Sequence, residues 1–178
     1  MPVIRIEAFT FEYNELQDRI RLTGNLYAEA QEISFWFTRR LALRLLDAAV
    51  ELVKKTSPSI VTLPEEHQSA MALFEHQSAQ LDTDNITESP LQTKEGGDRS
   101  NSDAEPKILR RLDISCKDQT YQLSFFLSGS GEAVAVSKLS YSQLHQLLSL
   151  IHRGALALDW GVENSLFASA RETPITLQ

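Results

Sequence analysis

Twice along this chain the hydrophobic pattern changes its period, and that double change limits the fold more than any other feature of the sequence. Residues 31 to 37, QEISFWF, alternate so that Ile33, Phe35 and Phe37 share one face of an extended segment. From Leu41 the apolar positions fall at 41, 45, 46, 49, 50 and 53, the stripe of a helix, with Thr38 placed to cap it. Residues 120 to 128, TYQLSFFLS, alternate again, with Tyr121, Leu123, Phe125 and Leu127 on one face. Beyond the turn Gly129-Ser130-Gly131 and the run EAVAVSK, the residues Leu144, Leu147, Leu148 and Ile151 stripe another helix. Ser140 and Gln143 have the spacing of a capping box, and Gly154 is placed to end that helix.

Adding the alternating runs at 3 to 9, 18 to 26 and 108 to 116, each half of the chain reads strand, strand, strand, helix. The implied fold class is α+β: an antiparallel sheet, or two packed sheets, with helices covering one face. An extra helix belongs between the halves, starting at Thr62, whose spacing to Glu65 suits a capping box, and fading near Leu81. The two halves are either an old duplication or a chance recurrence of a common unit. The order of elements is similar to that of the globular heads of coiled-coil scaffold proteins in DNA repair and centriole assembly, without the long heptad stretch such heads carry. That similarity implies a dimerising interaction domain.

Length and charge sharpen this outline. A chain of 178 residues suits one domain spanning 1–178. Residues 82 to 106 hold seven acids against Lys94 and Arg99, so −5 of the total charge of −7 sits there. Their only apolar side chains are Ile86, Leu91 and Ala104, too few to offset the entropy of ordering a backbone, which predicts a flexible acidic loop within the domain. The opening MPVIRIEAFTFEY has no uninterrupted apolar core of a signal peptide, and no stretch is long and apolar enough for a membrane span. With a single cysteine, Cys116, no internal disulfide is possible, and the expectation is a cytoplasmic protein away from membranes.

The sequence offers little catalytic chemistry. EHQSA occurs at 66 to 70 and again at 75 to 79, but nine residues turn a helix through about two and a half revolutions, so His67 and His76 point to opposite sides and share no ion. His145 and His152 share a face but stand about 10 Å apart along the axis. SGSGEA lacks the Gly-Lys-Ser/Thr ending of a phosphate loop and reads as a hairpin turn. No catalytic residue, metal ligand or cofactor is assigned.

Two places break local rules. Arg39 and Arg40 open the first long helix, where the macrodipole disfavours cations; with Thr38 and Arg44 they are the candidate anion-binding residues, the plainer alternative being ion pairs with Glu7, Glu12 or Glu32. Trp36 and Phe126 lie on the strand faces opposite the apolar ones and are the interface candidates. The leading expectation is a non-enzymatic interaction or regulatory module, a homodimer or the binder of an unknown protein partner, acting through these aromatics. The competing expectation is a phosphate-ligand or nucleic-acid binder using Arg39, Arg40, Arg44, Lys54, Lys55, Arg110 and Arg111, against which the acidic total charge weighs. A third is an enzyme with no recognisable motif.

Overall fold

The computed structural model describes residues 2–26, 29–84, 91–93 and 104–167. The elements run β1 (Ile4–Ile6), β2 (Phe9–Asn14), β3 (Arg19–Gly24), β4 (Ile33–Thr38), α1 (Arg39–Thr56), α2 (Pro58–Val61), α3 (Glu65–Asp84), β5 (Leu91–Thr93), β6 (Lys107–Lys117), β7 (Thr120–Leu127), β8 (Ala135–Leu139) and α4 (Tyr141–Ala157). The fold is α+β, and its two period changes fall at β4–α1 and β8–α4.

Each half contributes an antiparallel meander, β2–β3–β4 and β6–β7–β8. The meanders join through a parallel contact between β4 and β6, in the sheet order β1-β8-β7-β6-β4-β3-β2-β5. The sheet is therefore mixed rather than purely antiparallel. Helices lie between β4 and β6 in sequence, and a crossover of that kind is what a parallel neighbour requires.

The sheet also curls. β1 pairs with β8 while β2 pairs with β3, at the far side of the strand order, yet only Glu7 and Ala8 separate β1 from β2. Three residue steps span at most about 11 Å, so the two ends of the sheet must approach each other. Asn25 clasps the corner: its side chain accepts from the Glu7 amide at 3.0 Å and donates to the Arg5 and Gln31 carbonyls at 2.9 and 3.0 Å. A Cβ on Gly24 would lie 2.9 Å from Ile6 Cγ2, so the crossing needs a glycine there.

The core fills the concave side. Phe9, Phe11, Ile20, Leu22, Phe35, Phe37, Tyr121, Leu123 and Phe125 point inward from the strands, with Phe35 and Phe125 stacked at 5.3 Å. Helix α4 touches β2, β7 and β8 on one side and α1 and α3 on the other. Its buried positions therefore run nearly all round, including Leu144, His145, Leu148, Ile151, His152 and Ala155. A smaller cluster of Val53, Ile60, Ala72 and Phe167 lies under α2 and α3.

Three local expectations are corrected. Gly154 does not end α4, which continues to Ala157; a Cβ there would stand 2.6 Å from Ile20 Cδ1 and 2.7 Å from the Tyr13 ring, so the glycine serves a close helix-to-strand approach. Thr62 does not cap the middle helix: Pro58 starts the short α2, Thr62 closes it with its hydroxyl on the Ser59 carbonyl, and α3 begins after Pro64. That helix also runs past Leu81 to Asp84. Of the acidic stretch 82–106, residues 85–90 and 94–103 lie outside the described residues, whereas Leu91–Thr93 pair with β2.

Candidate functional site

A basic cleft of about 640 Å³ opens between the first turn of α1 and the β6–β7 hairpin. From the end of β4 comes Thr38 and from α1 come Arg40, Leu41 and Arg44; from β6 come Ile108, Arg110 and Arg111; from β7 and its turn come Phe126, Ser128 and Ser130. Each part has a sequence-level cause. Thr38 caps α1 by accepting from the Leu41 amide at 3.4 Å, and no acid occupies the first turn, so the positive end of the helix dipole is left uncompensated. Arg40 and Arg44 are one turn apart and project from the same face. Arg39 lies about 100° round the helix and instead donates to the Trp160 carbonyl at 3.2 Å.

On β6 a shift in register between Leu109 and Arg111 breaks the alternation, so that Arg110 and Arg111 are both exposed. A regular strand would have turned one of two successive arginines into the core. The doubled Arg in an otherwise alternating run is the signal in the sequence for this bulge. Arg111 pairs with Asp113 at 3.2 Å and lies over Phe126, its guanidinium carbon 3.9 Å from the ring centre. Arg40, Arg44 and Arg110 have no carboxylate partner among the described residues. Among the described residues no ion pair joins Arg39 or Arg40 to Glu7 or Glu12.

The two aromatic candidates lie beside this cleft. Trp36 is half-buried and stands in register with Ile108, itself 51 % exposed and part of the cleft lining, while Phe126 lines the cleft under Arg111. The structure thus brings together Thr38, Arg40, Arg44 and Phe126, sets Trp36 at their edge, and sends Arg39 elsewhere. Lys54 and Lys55 occupy the other end of α1.

A second polar cluster has the opposite character. Glu75 accepts hydroxyl hydrogen bonds from Ser57, Ser59 and Tyr141, which occupy most of a carboxylate's acceptor capacity. Burial, then the adjacent Glu75, push the Tyr141 phenol far up. The neighbouring His76 meets His145 across α3 and α4, with the two Nδ1 atoms 2.9 Å apart. The Gln80 amide nitrogen donates to the Ser149 hydroxyl and lies 3.2 Å from His76 Nε2. That arrangement makes His76 Nε2 an acceptor and His76 Nδ1 the donor to His145, which leaves the proton of His145 on its buried, unpartnered Nε2. Burial, reinforced by the charges of His145 and His152, lowers the pKa of His76 to about 3. Burial lowers that of His145 to about 4 against an opposing pull from Glu75. Both imidazoles are neutral and packed.

The repeated EHQSA segment therefore splits as helical geometry requires: His67 is exposed beside Glu66, and His76 is in the core. Among the described residues no three His, Cys, Asp or Glu side chains converge as a metal site would need, and no helix is long and apolar enough to cross a membrane. Comparison with protein-family models, with curated proteins and with solved structures found no match for this chain.

Proposed function

We propose that the protein is a binding module for an anionic, phosphate-bearing ligand held in the cleft between α1 and the β6–β7 hairpin. The observation that carries this reading is the convergence of Arg40, Arg44 and Arg110 without a carboxylate among them. Like charges gathered at the positive end of a helix repel one another, and an anion docked there would relieve that repulsion while taking hydrogen bonds from guanidinium forks and the free amides of the first turn. The described lining holds no His, Cys, Asp or Glu, so it supplies no general base or strong nucleophile, and binding fits it better than catalysis.

Titration with inorganic polyphosphate tests the reading. Each charge-assisted contact is worth about 1.5–3 kcal/mol, so Arg40→Ala with Arg44→Ala should weaken binding by about a hundredfold or more. A titration unchanged by the double substitution would remove the idea. A second reading, self-association through Trp36 and Phe126, is favoured by the exposed Ile108 beside Trp36. It predicts that Trp36→Ser halves the mass measured by light scattering.

A further inference from the structure

The cleft does not end at its arginines. Where it meets the outer face of the sheet, the exposed Ile108 and the half-buried Phe126 and Trp36 add an apolar platform. We propose, resting on the anion-binding reading above, that the ligand is a single-stranded nucleic acid, with its phosphates on the arginines and its unpaired bases laid against this platform.

Four features of the surface point to that class of anion. The first is the adjacency of charge to rings: Ile108 and Phe126 line the same cleft as Arg40, Arg44 and Arg110, and Trp36 stands in register with Ile108. An inorganic anion or nucleotide phosphate uses only the charged part, whereas a strand carries phosphate and ring alternately along its length. The second is Arg111. Its guanidinium carbon lies 3.9 Å from the centre of the Phe126 ring while its side chain is 57 % exposed, and a guanidinium plane stacks a base as an aromatic ring does.

The third is the polar chemistry of the lining. Apart from the arginines it consists of hydroxyls, Thr38, Ser128 and Ser130, with no Asn, Gln, Asp or Glu to read a base edge. Recognition would then depend on backbone and stacking and tolerate any sequence. The fourth is the partial exposure of the rings: in a duplex the base faces are hidden in the stack, so the half-buried Trp36 and Phe126 beside the arginines suit an unpaired strand. The surface is built from one helix end and three strands whose inward faces are anchored in the core by Phe35, Leu109 and Phe125, which fixes the platform.

The test uses the full chain with a fluorescent oligothymidine of about 15 nucleotides, read by anisotropy, and inorganic polyphosphate in parallel. At about 50 mM salt the oligonucleotide should bind, and affinity should fall steeply as salt rises. Tryptophan emission should be quenched on binding through Trp36, with buried Trp160 as the unchanging background. Arg44→Ala with Arg110→Ala should weaken both ligands together. Trp36→Leu with Phe126→Leu keeps apolar bulk but removes the rings; it should weaken the oligonucleotide about tenfold or more, abolish the quench, and leave polyphosphate binding as it was. Circular dichroism and melting confirm that each variant is folded.

Equal loss of both ligands in the ring variant, or an unchanged oligonucleotide affinity in it, would overturn the platform and leave the anion cleft standing. Tighter binding of a duplex of the same length would also overturn it. If polyphosphate and oligonucleotide both fail to bind, the anion-binding reading falls as well. A Trp36→Ser variant that loses mass by light scattering but keeps its oligonucleotide affinity would assign the ring face to a second copy of the chain and overturn the proposal.

Discussion

The two helices that close the two halves of the chain begin alike and are used differently. Both follow a strand that supplies a hydroxyl cap. At α4 the cap is reciprocal, Ser140 accepting from the Gln143 amide while the Gln143 side chain accepts from Ser140, so its first turn is satisfied from within the chain. At α1 only Thr38 caps, through a longer bond, and arginines rather than acids follow. The enclosed helix α4 buries two histidines, whereas the buried positions of α1 are Ala42, Leu46, Ala49 and Val53 alone. The first turn of one helix is answered within the chain, and that of the other leaves Arg40 and Arg44 without a carboxylate partner among the described residues. The unusual feature of α1 is therefore not its helical structure but the acid that its first turn lacks.

The largest effect should come from the enclosure of α4. Gly154→Ala forces a Cβ to within 2.7 Å of the Tyr13 ring and should cost about 1–3 kcal/mol or more, visible as a lowered midpoint in urea unfolding. A near-neutral result would mean that α4 is not seated tightly against β2 and β3.

Acid should separate the helices next. His76 and His145 have pKa values depressed in the folded state, to about 3 and about 4. The unfolded chain takes up their protons near about 6.5 while the folded chain does not, so their contribution to stability is intact above that pH and is lost progressively as pH falls towards the folded values. Replacing His145 by Gln should remove about one proton from this linkage, about 1.4 kcal/mol per pH unit of slope below about pH 6. Melting curves between about pH 7.5 and pH 4.5 would show it, and an unchanged slope would contradict the neutral, buried assignment.

The caps give a smaller contrast. Ser140→Ala should cost about 1 kcal/mol. Thr38→Ala should cost less, since its 3.4 Å bond is weak. Equal losses would erase the asymmetry between the two N-termini.

Much of this layout was legible in the residues. Phe35 and Phe37 are buried as the alternation at 31 to 37 requires, Thr38 caps α1, and the Ser140–Gln143 box is complete. These are local features, set by periods and spacings within a few residues. The curl of the sheet was not legible, because it depends on Asn25 meeting Arg5 and Gln31 and on β1 finding β8 more than 120 residues later. Gly154 was misread as a stop because its neighbours Tyr13 and Ile20 are distant in sequence. At the site, Arg40, Arg44 and Phe126 could be singled out by broken local rules, and Arg110 and Arg111 by their doubling in a strand. Their assembly into one cleft is a tertiary fact, as is the diversion of Arg39 to Trp160. The buried pairing of His76 with His145 likewise needed α3 to lie along α4.

On the proposal above, Arg40, Arg44 and Arg110 form one anion site, and none of the three has a carboxylate partner among the described residues. A thermal-shift titration of the wild-type chain and the Arg44→Ala, Arg110→Ala variant with inorganic polyphosphate tests it most directly. The variant should melt within about 0.5 kcal/mol of wild type, or slightly higher as repulsion is relieved, while the ligand-induced rise in melting temperature seen in wild type disappears. A variant that melts several degrees lower, or that keeps the full ligand-induced rise, would contradict the account.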